Sequence, residues 1–335
     1  MKNRNQKPML VILNTLGIIV FVLFWEDYMK KFMKIIQIIL GVIVALIIIF
    51  ILFLLWSSKQ LAVKDGYYNY VITDAPRELK YTQMGSYEVS IFEQASDSKQ
   101  VGKFRVWYPA EMEASGKKYP LVVMVNGSGT PASRYEAVFD HLASWEFIVI
   151  GNEDGSSGTG ESAAKTLDFI LGLNSNLNSL FYGKIDVDNI GIGGHSQGGL
   201  GTINAVTAQD NGNLYKVMYA ASAPTLQISV DLLKAPFDNS GVNIPCFMVA
   251  GTQKVDAGDG KNSGICPLVE LQEKYNNISD SVSKVMARRK DTDHGDMLPY
   301  ADGYMTAWFM YHLQGDEEAG EVFFGDNAEI LHNAN

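Results

Sequence analysis

The fold of this chain is decided by the stretch Ile190-Gly191-Ile192-Gly193-Gly194-His195-Ser196-Gln197-Gly198-Gly199. Its apolar beginning predicts a buried strand, and the alanine- and leucine-containing residues that follow predict a helix. Ser196 therefore lies where a strand turns sharply into a helix. Gly194 and Gly198 flank this serine, and a side chain at either position would collide with the adjacent strand and helix. The arrangement indicates a nucleophile elbow, in which a strained turn exposes the serine hydroxyl.

The composition of the chain limits the kinds of partner and cofactor that we expect. The 335 residues carry 27 Lys and Arg against 37 Asp and Glu, which gives a net charge of −10. This balance argues against nucleic acid as a partner, since the chain has no basic stripe to follow a phosphate backbone. Cys246 and Cys266 are too few for a disulfide framework and are not spaced like zinc ligands, so we expect two structural thiols. A single disulfide stays open if the domain lies outside the cytoplasm.

The first sixty residues are set apart by their hydrophobicity, and we expect residues 1–60 to form a membrane anchor. Residues 35–56 are an apolar stretch long enough to cross a hydrocarbon core of about 30 Å as a helix. A shorter run at residues 9–25 leaves open whether one or two segments cross. The positive-inside rule places the residues before the longer stretch in the cytoplasm and the following domain outside it. These cytoplasmic charges are Lys30, Lys31 and Lys34.

Residues 81–335 follow a predicted linker at 61–80 and alternate between strand and helix patterns. Residues 87–92 and 104–108 alternate apolar and polar side chains, which predicts an antiparallel pair of strands. Further strands are predicted at 121–125, 147–150, 189–192, 216–220, 246–250 and 284–287, and helices at 135–145, 162–173, 198–208, 268–275 and 301–313. This alternation predicts one α/β domain with a mostly parallel sheet and helices on both faces.

A serine nucleophile needs a base, and the chain offers five histidines. His294 follows the last predicted strand in a polar loop at residues 290–296, where this architecture places its base. We therefore predict His294 as the base. We expect His141, His312 and His332 to be surface or packing residues, and the side chain of His195 to point away from that of its neighbour Ser196.

The acid that orients the histidine should follow the preceding strand. Three residues after Gly251, where many relatives would have the acid, the sequence has Lys254, and it offers Asp256 two residues later. We assign Asp256, on the assumption that the loop is longer by two residues. Asp259 is the alternative, and a further one is that both are surface acids and another group orients the histidine.

Backbone amides are expected to hold the negative charge that develops on a carbonyl oxygen. One is the amide of Gln197, directly after the nucleophile. The other is the amide of Ser128 in the loop Asn126-Gly127-Ser128-Gly129, which ends the first buried strand. An ordinary turn could also have this sequence. Because the loop occurs together with an elbow farther along the chain, we favour the oxyanion role.

From about Tyr81 to Gly325 the chain resembles the α/β-hydrolase superfamily. It is most similar to the lidless branch of dienelactone hydrolases, chlorophyllase-like enzymes and cutinase-like polyester hydrolases. The motifs that carry this resemblance are Val125-Asn126-Gly127-Ser128-Gly129, Tyr182-Gly183-Lys184-Ile185-Asp186, Gly194-His195-Ser196-Gln197-Gly198-Gly199 and Asp293-His294-Gly295. The last two are specific in combination.

The resemblance implies an α/β-hydrolase fold with Ser196 as nucleophile, His294 as base and Asp256 as orienting acid. The polyester branch carries substrate-gripping aromatic side chains where this chain has Ser128 and Thr225. Aromatic polyesters are therefore not the substrates that we expect.

These observations predict a membrane-anchored serine hydrolase that cleaves small-molecule or lipid-like carboxylic esters through an acyl-enzyme intermediate. No metal or organic cofactor is expected. An amidase, a peptidase or an acyltransferase would use the same machinery and stays open, since the fold does not choose among them. The alternative from another class is a non-catalytic binding module that has lost a competent acid, and only Lys254 favours it.

Overall fold

The computed structural model describes residues 7–57, 60–259 and 263–335, which form two compact units. The first unit, Met1–Gln60, contains one continuous helix, α1, at Lys7–Ser57. Both hydrophobic runs of the sequence fall within this helix. Its segment Tyr28–Phe53 is long and apolar enough to cross a membrane, which makes it a candidate for an anchor or a signal sequence.

The second unit, Leu61–Asn335, is built on a sheet with eight strands in the described residues. They are β1 Val89–Ala95, β2 Lys103–Pro109, β3 Tyr119–Val125, β4 Ile148–Asn152, β5 Ile185–His195, β6 Val217–Ala221, β7 Cys246–Gly251 and β8 Lys284–Arg289. The order across the sheet is β1-β2-β4-β3-β5-β6-β7-β8. Antiparallel pairing joins β1 to β2 and β2 to β4, and every other neighbouring pair is parallel. The predicted mostly parallel sheet and its antiparallel first pair are confirmed.

Helices connect the strands. The α-helices are α2 Pro76–Thr82, α3 Glu136–Ser144, α4 Glu161–Ser175, α5 Gln197–Ala208, α6 Leu226–Asp231, α7 Lys254–Ala257, α8 Leu268–Asn277, α9 Met297–Tyr300, α10 Asp302–Phe309 and α11 Glu317–Gly320. Short 3-10 turns lie at Tyr67–Asn69, Ala110–Glu113, Ala132–Arg134, Gly212–Leu214, Asn239–Gly241, His294–Asp296 and Glu329–Leu331. The last predicted helix differs from expectation, because α10 ends at Phe309 and continues as a π-helix, Met310–Gln314.

The sheet is buried on both faces, which explains the continuous apolar sequence of β3. Val122 and Met124 face a core that includes α3 and α10. Leu121 and Val123 face a second core, to which α4, α5 and α8 contribute. Strands buried on both sides are typical of parallel sheets covered by helices.

Residues 61–80 pack as part of the second unit, although we expected them to be a linker. Val63, Tyr67 and Val71 are buried in the core beneath α3 and α10. The amide of Ala62 also donates to the carbonyl of Arg134, at 2.6 Å. Their burial removes apolar surface from water, so this segment contributes to the folding of the domain.

Candidate active site

Ser196 occupies the strained turn that the elbow sequence predicts. It lies between the end of β5 and the start of α5, with φ 60° and ψ −126°. A side chain on Gly194 would overlap the carbonyl oxygen of Gly198, and one on Gly198 would overlap that of Val125. The two glycines therefore allow the close approach of strand, turn and helix that holds the strained serine in place.

The structure brings Ser196 and His294 together from positions about a hundred residues apart. Ser196 Oγ lies 2.9 Å from His294 Nε2, within hydrogen-bonding distance. His294 begins a short 3-10 turn in the loop that follows β8, and 14% of its side chain is exposed. A neutral imidazole in this position can accept the hydroxyl proton of the serine.

Asp256 lies on the other side of the same imidazole. Its Oδ1 is 3.0 Å from His294 Nδ1, and the residue is fully buried. Lys254 and Val255 fill the first turn of α7 ahead of it and are exposed, so the two additional residues form a helical turn. Asp259, the alternative acid, is exposed in a turn where its Oδ1 accepts from the amide of Ser263 at 3.1 Å. The geometry thus favours Asp256 as the partner of His294.

Hydrogen bonds hold the Asp256 carboxylate in its charged form. The hydroxyl of Ser222 donates to Oδ2 at 2.6 Å, and the amide of Gly251 donates to the same atom at 2.5 Å. Burial alone would raise the pKa of Asp256, but the hydrogen bonds from His294, Ser222 and Gly251 outweigh it and lower the pKa below its ordinary value. The carboxylate is therefore ionised at neutral pH, as an imidazole-orienting group must be.

A second aspartate, Asp293, connects the loop of His294 to α7 through hydrogen bonds. Its Oδ1 accepts from the amides of His294, Val255 and Asp256, at 2.8, 2.9 and 3.0 Å. One carboxylate oxygen thereby fixes the two segments that carry the imidazole and its acid. Only the proximity of Asp293 to His294 in the sequence could have indicated this role, and no sequence signal indicates the role of Ser222.

His195 also lies at the site, which the sequence did not lead us to expect. Its ring centroid is 4.6 Å from that of His294, with the planes tilted by 40°. Burial and the neighbouring His294 lower the pKa of His195 to about 3. Its Nε2 is buried and has no hydrogen-bond partner among the described residues. His195 is therefore a neutral ring that packs against the imidazole bound to Ser196.

The predicted oxyanion loop lies beside the serine. A side chain on Gly127 would reach within 3.7 Å of Ser196 Cβ, and the hydroxyl of Ser128 donates to Gln197 Oε1 at 3.2 Å. In residues 60–259 and 263–335 neither the Ser128 nor the Gln197 amide donates to a protein acceptor. Both amides are thus free to donate to a bound oxygen.

The side chain of Asn126 fixes the backbone of this loop. Its Nδ2 donates to the carbonyls of Asn152 and Asp154, at 2.7 and 2.8 Å, and its Oδ1 accepts from the hydroxyl of Tyr135 at 2.7 Å. All of these bonds are made by buried groups, so they resist exchange with water. Asn126 therefore sets the direction of the chain at Gly127 and Ser128.

The remaining residues singled out in the sequence make other contacts or are exposed. His141 is buried against Asp302, His312 is largely buried beside Trp308, and His332 is exposed near the C-terminus. Thr225 caps α6 by accepting from the amide of Ile228 at 3.2 Å. Cys246 and Cys266 are buried free thiols, and burial raises the pKa of each to about 12. The described residues contain no cluster of His, Cys, Asp or Glu side chains suited to a metal ion.

Comparison with known proteins identifies the family. A family model described as PET hydrolase-like matches residues 70–318, which is more than half of the chain. The match includes all eight strands together with Ser196, Asp256 and His294. No curated protein matches the chain. The family indicates an ester hydrolase of the α/β-hydrolase type, as the resemblance in the sequence implies. The chain belongs to the PET hydrolase-like family, within the polyester hydrolases of the α/β-hydrolase superfamily.

Proposed function

We propose that this protein is a serine hydrolase that cleaves carboxylic esters through a triad of Ser196, His294 and Asp256. The observation that carries the proposal is a continuous pair of hydrogen bonds. They run from Ser196 Oγ to His294 Nε2 at 2.9 Å and from His294 Nδ1 to Asp256 Oδ1 at 3.0 Å. Membership of the PET hydrolase-like family supports an ester as the bond that is cleaved.

In the proposed reaction, His294 Nε2 takes the hydroxyl proton of Ser196 while Oγ attacks the ester carbonyl carbon. The bond to the alcohol oxygen then breaks, and the imidazolium returns its proton to the departing alkoxide. Water attacks the acyl-serine with His294 again as base. This second half releases the carboxylic acid and restores the hydroxyl of Ser196.

Two backbone amides and one carboxylate stabilise the charges that this reaction creates. The amides of Ser128 and Gln197 donate to the carbonyl oxygen as it becomes negative, and such a donor is worth about 10²- to 10³-fold in rate. The ionised Asp256 holds the tautomer with the proton on Nδ1 and stabilises the imidazolium. Its buried hydrogen bonds to Ser222 and Gly251 keep the carboxylate in place for this role.

We also propose that α1 is an uncleaved membrane anchor, with Tyr28–Phe53 as the crossing segment. Lys30, Lys31 and Lys34 lie at the start of this segment and favour a cytoplasmic position for that end. The hydrolase unit then lies outside the cytoplasm. Small-molecule or lipid-like esters are the proposed substrates, and nucleic acid is not a proposed partner.

A fluorophosphonate probe tests the proposed chemistry, because it reacts covalently with a serine that a neighbouring base has activated. We expect the full chain to be labelled and the Ser196→Ala variant to remain unlabelled. Ser175→Ala is the matched control, since this exposed serine lies at the end of α4 and should leave labelling intact. Labelling that persists in Ser196→Ala, or a native chain that is never labelled, would exclude the proposed nucleophile.

A further inference from the structure

Exposed apolar side chains lie at the edge of the sheet where β5 ends and Ser196 begins the turn into α5. Four of them come from the segments that follow β6 and β7: Leu226, Val230, Leu232 and Val255, with exposed fractions of 49, 43, 74 and 52%. The first two lie on α6, and Val255 precedes Asp256 on α7. We call these four residues the apolar rim.

Residues 61–72 pass along the same edge. The amide of Ala62 is bound to the carbonyl of Arg134, whose guanidinium donates to the carbonyl of Gly129 in the oxyanion loop, at 2.9 Å. Farther along, Ile72 is 82% exposed and lines a shallow hollow with Thr292 and Asp296, on either side of His294. The start of the hydrolase unit is therefore fixed beside both loops of the candidate site.

The hydrolase unit is covalently joined to α1, the proposed anchor. Only residues 58–60 separate the end of α1 at Ser57 from Leu61, and a fully extended chain of that length spans at most about 14 Å. The chain therefore runs from the proposed anchor directly into the segment that is fixed beside the candidate site. Exposed apolar residues alone would not select this edge, because Leu177 is 76% exposed at the opposite edge.

We propose that the edge of the sheet carrying Ser196 faces a lipid bilayer through the apolar rim, and that the substrates are long-chain acyl esters that reside in that bilayer. The inference rests on the proposed function and on α1 as an anchor. Apolar side chains inserted at the headgroup boundary bind a surface in proportion to the area that they bury. The net charge of −10 gives no general attraction to anionic lipids, so contact through apolar side chains is the favoured mode. As an anchor, α1 adds to this contact, because it keeps the site at a high effective concentration near its substrate.

The test uses the full chain reconstituted in phosphatidylcholine vesicles. Hydrolysis is measured for 4-methylumbelliferyl oleate dissolved in the bilayer and for 4-methylumbelliferyl butyrate dissolved in the water. The ratio of the two rates reports access to the bilayer, since the second ester serves as an internal reference. We expect the double variant Leu226→Ser/Leu232→Ser to lower this ratio about tenfold. Leu177→Ser, an equally exposed leucine at the opposite edge, should leave the ratio unchanged.

The outcomes separate this inference from the proposed function on which it rests. An unchanged ratio in Leu226→Ser/Leu232→Ser overturns the bilayer-facing rim while the hydrolase proposal stands. The same is true if this variant converts a dimer of the native chain to a monomer, because the rim would then be covered by a second copy. A native chain that hydrolyses neither ester and takes up no fluorophosphonate overturns both. The single variant Leu232→Ser, at the most exposed position of the rim, should lower the ratio in the same direction by a smaller factor.

Discussion

The imidazole rings of His195 and His294 lie 4.6 Å apart, tilted by 40°, so the proposed base packs against a second histidine. Burial and the proximity of His294 lower the pKa of His195 to about 3. His195 is therefore uncharged at neutral pH and adds no repulsion when His294 takes up a proton. A charged side chain in its place would oppose the imidazolium on which the proposed mechanism depends.

His195 should make the folded protein sensitive to acid. Its pKa in the native state is below the ordinary value of about 6.5, so the unfolded chain binds the proton more readily. The stability that it contributes is present above about pH 6.5 and is lost as the pH falls toward 3, by up to about 1.4 kcal/mol per pH unit. We expect His195→Asn to reduce the decline in the free energy of unfolding between about pH 6 and pH 4, measured by urea denaturation.

Part of the decline should remain because burial also lowers the pKa of His312, to about 4. A variant with the native pH dependence would contradict this prediction, and His332→Asn, at an exposed position, is the control.

The assignment of the acid gives a second prediction, in which Asp256 is compared with Asp259. Asp256→Asn removes the charge that orients His294, and we expect kcat for a soluble p-nitrophenyl ester to fall by about 10⁴. KM should change little, because the carboxylate does not touch the substrate. Asp259→Asn should behave like the native chain, since Asp259 is exposed and bonds within its own turn. A large loss for Asp259→Asn with none for Asp256→Asn would reverse the assignment.

The sequence predicted those parts of the fold and site that local patterns determine. The apolar run of β3 is explained by a strand that is buried on both faces. The glycines around Ser196 are explained by the close approach of the neighbouring backbones. His294 could be selected because it lies in the polar loop that directly follows the last strand, whereas His312 and His332 come later in the chain. These patterns predicted the sheet, which is confirmed, and they also selected Ser196 and His294, which lie within hydrogen-bonding distance of each other.

The parts that the sequence did not predict depend on contacts between distant segments. Residues 61–80 resemble a linker, and their burial depends on α3 and α10, which come later in the chain. The choice of Asp256 depends on a four-residue helix, α7, whose start is fixed by the carboxylate of Asp293. No sequence motif marks Ser222. Its hydroxyl reaches Asp256 only because β6 and β7 are neighbours.

Asp293 gives a third prediction, for a positioning residue. Asp293→Ala leaves the amides of His294, Val255 and Asp256 without their common acceptor, so the imidazole and its acid should lose their alignment. We expect kcat to fall by about 10- to 100-fold with a smaller change in KM, since misplaced catalytic groups cost rate. Asp293→Asn keeps the accepting oxygen and should restore most of the rate. If the asparagine variant is as slow as the alanine variant, the negative charge of Asp293, and not its hydrogen bonds, is what matters.

The buried pair of His141 and Asp302 holds the segment containing Tyr67 to the core. Asp302 Oδ2 lies 2.8 Å from His141 Nδ1 and accepts from the hydroxyl of Tyr67 at 2.6 Å. Burial alone would lower the pKa of His141, but the Asp302 carboxylate and backbone carbonyls raise it overall. The stability from the ionised pair is therefore fully present below about pH 6.5 and is lost as the pH rises through the native pKa.

Asp302→Asn should accordingly destabilise the fold by about 3–5 kcal/mol at low pH, where it leaves a buried imidazolium unpaired, and by less at high pH. Urea unfolding at about pH 6 and pH 9 measures the difference. Asp316→Asn is the matched control, because Asp316 also accepts from a tyrosine hydroxyl, that of Tyr81 at 2.7 Å, but has no histidine partner in the described part of the chain. Its cost should be the same at both pH values. An equal cost for Asp302→Asn at both pH values would show that His141 is neutral in the native state and that the pair acts through hydrogen bonds alone.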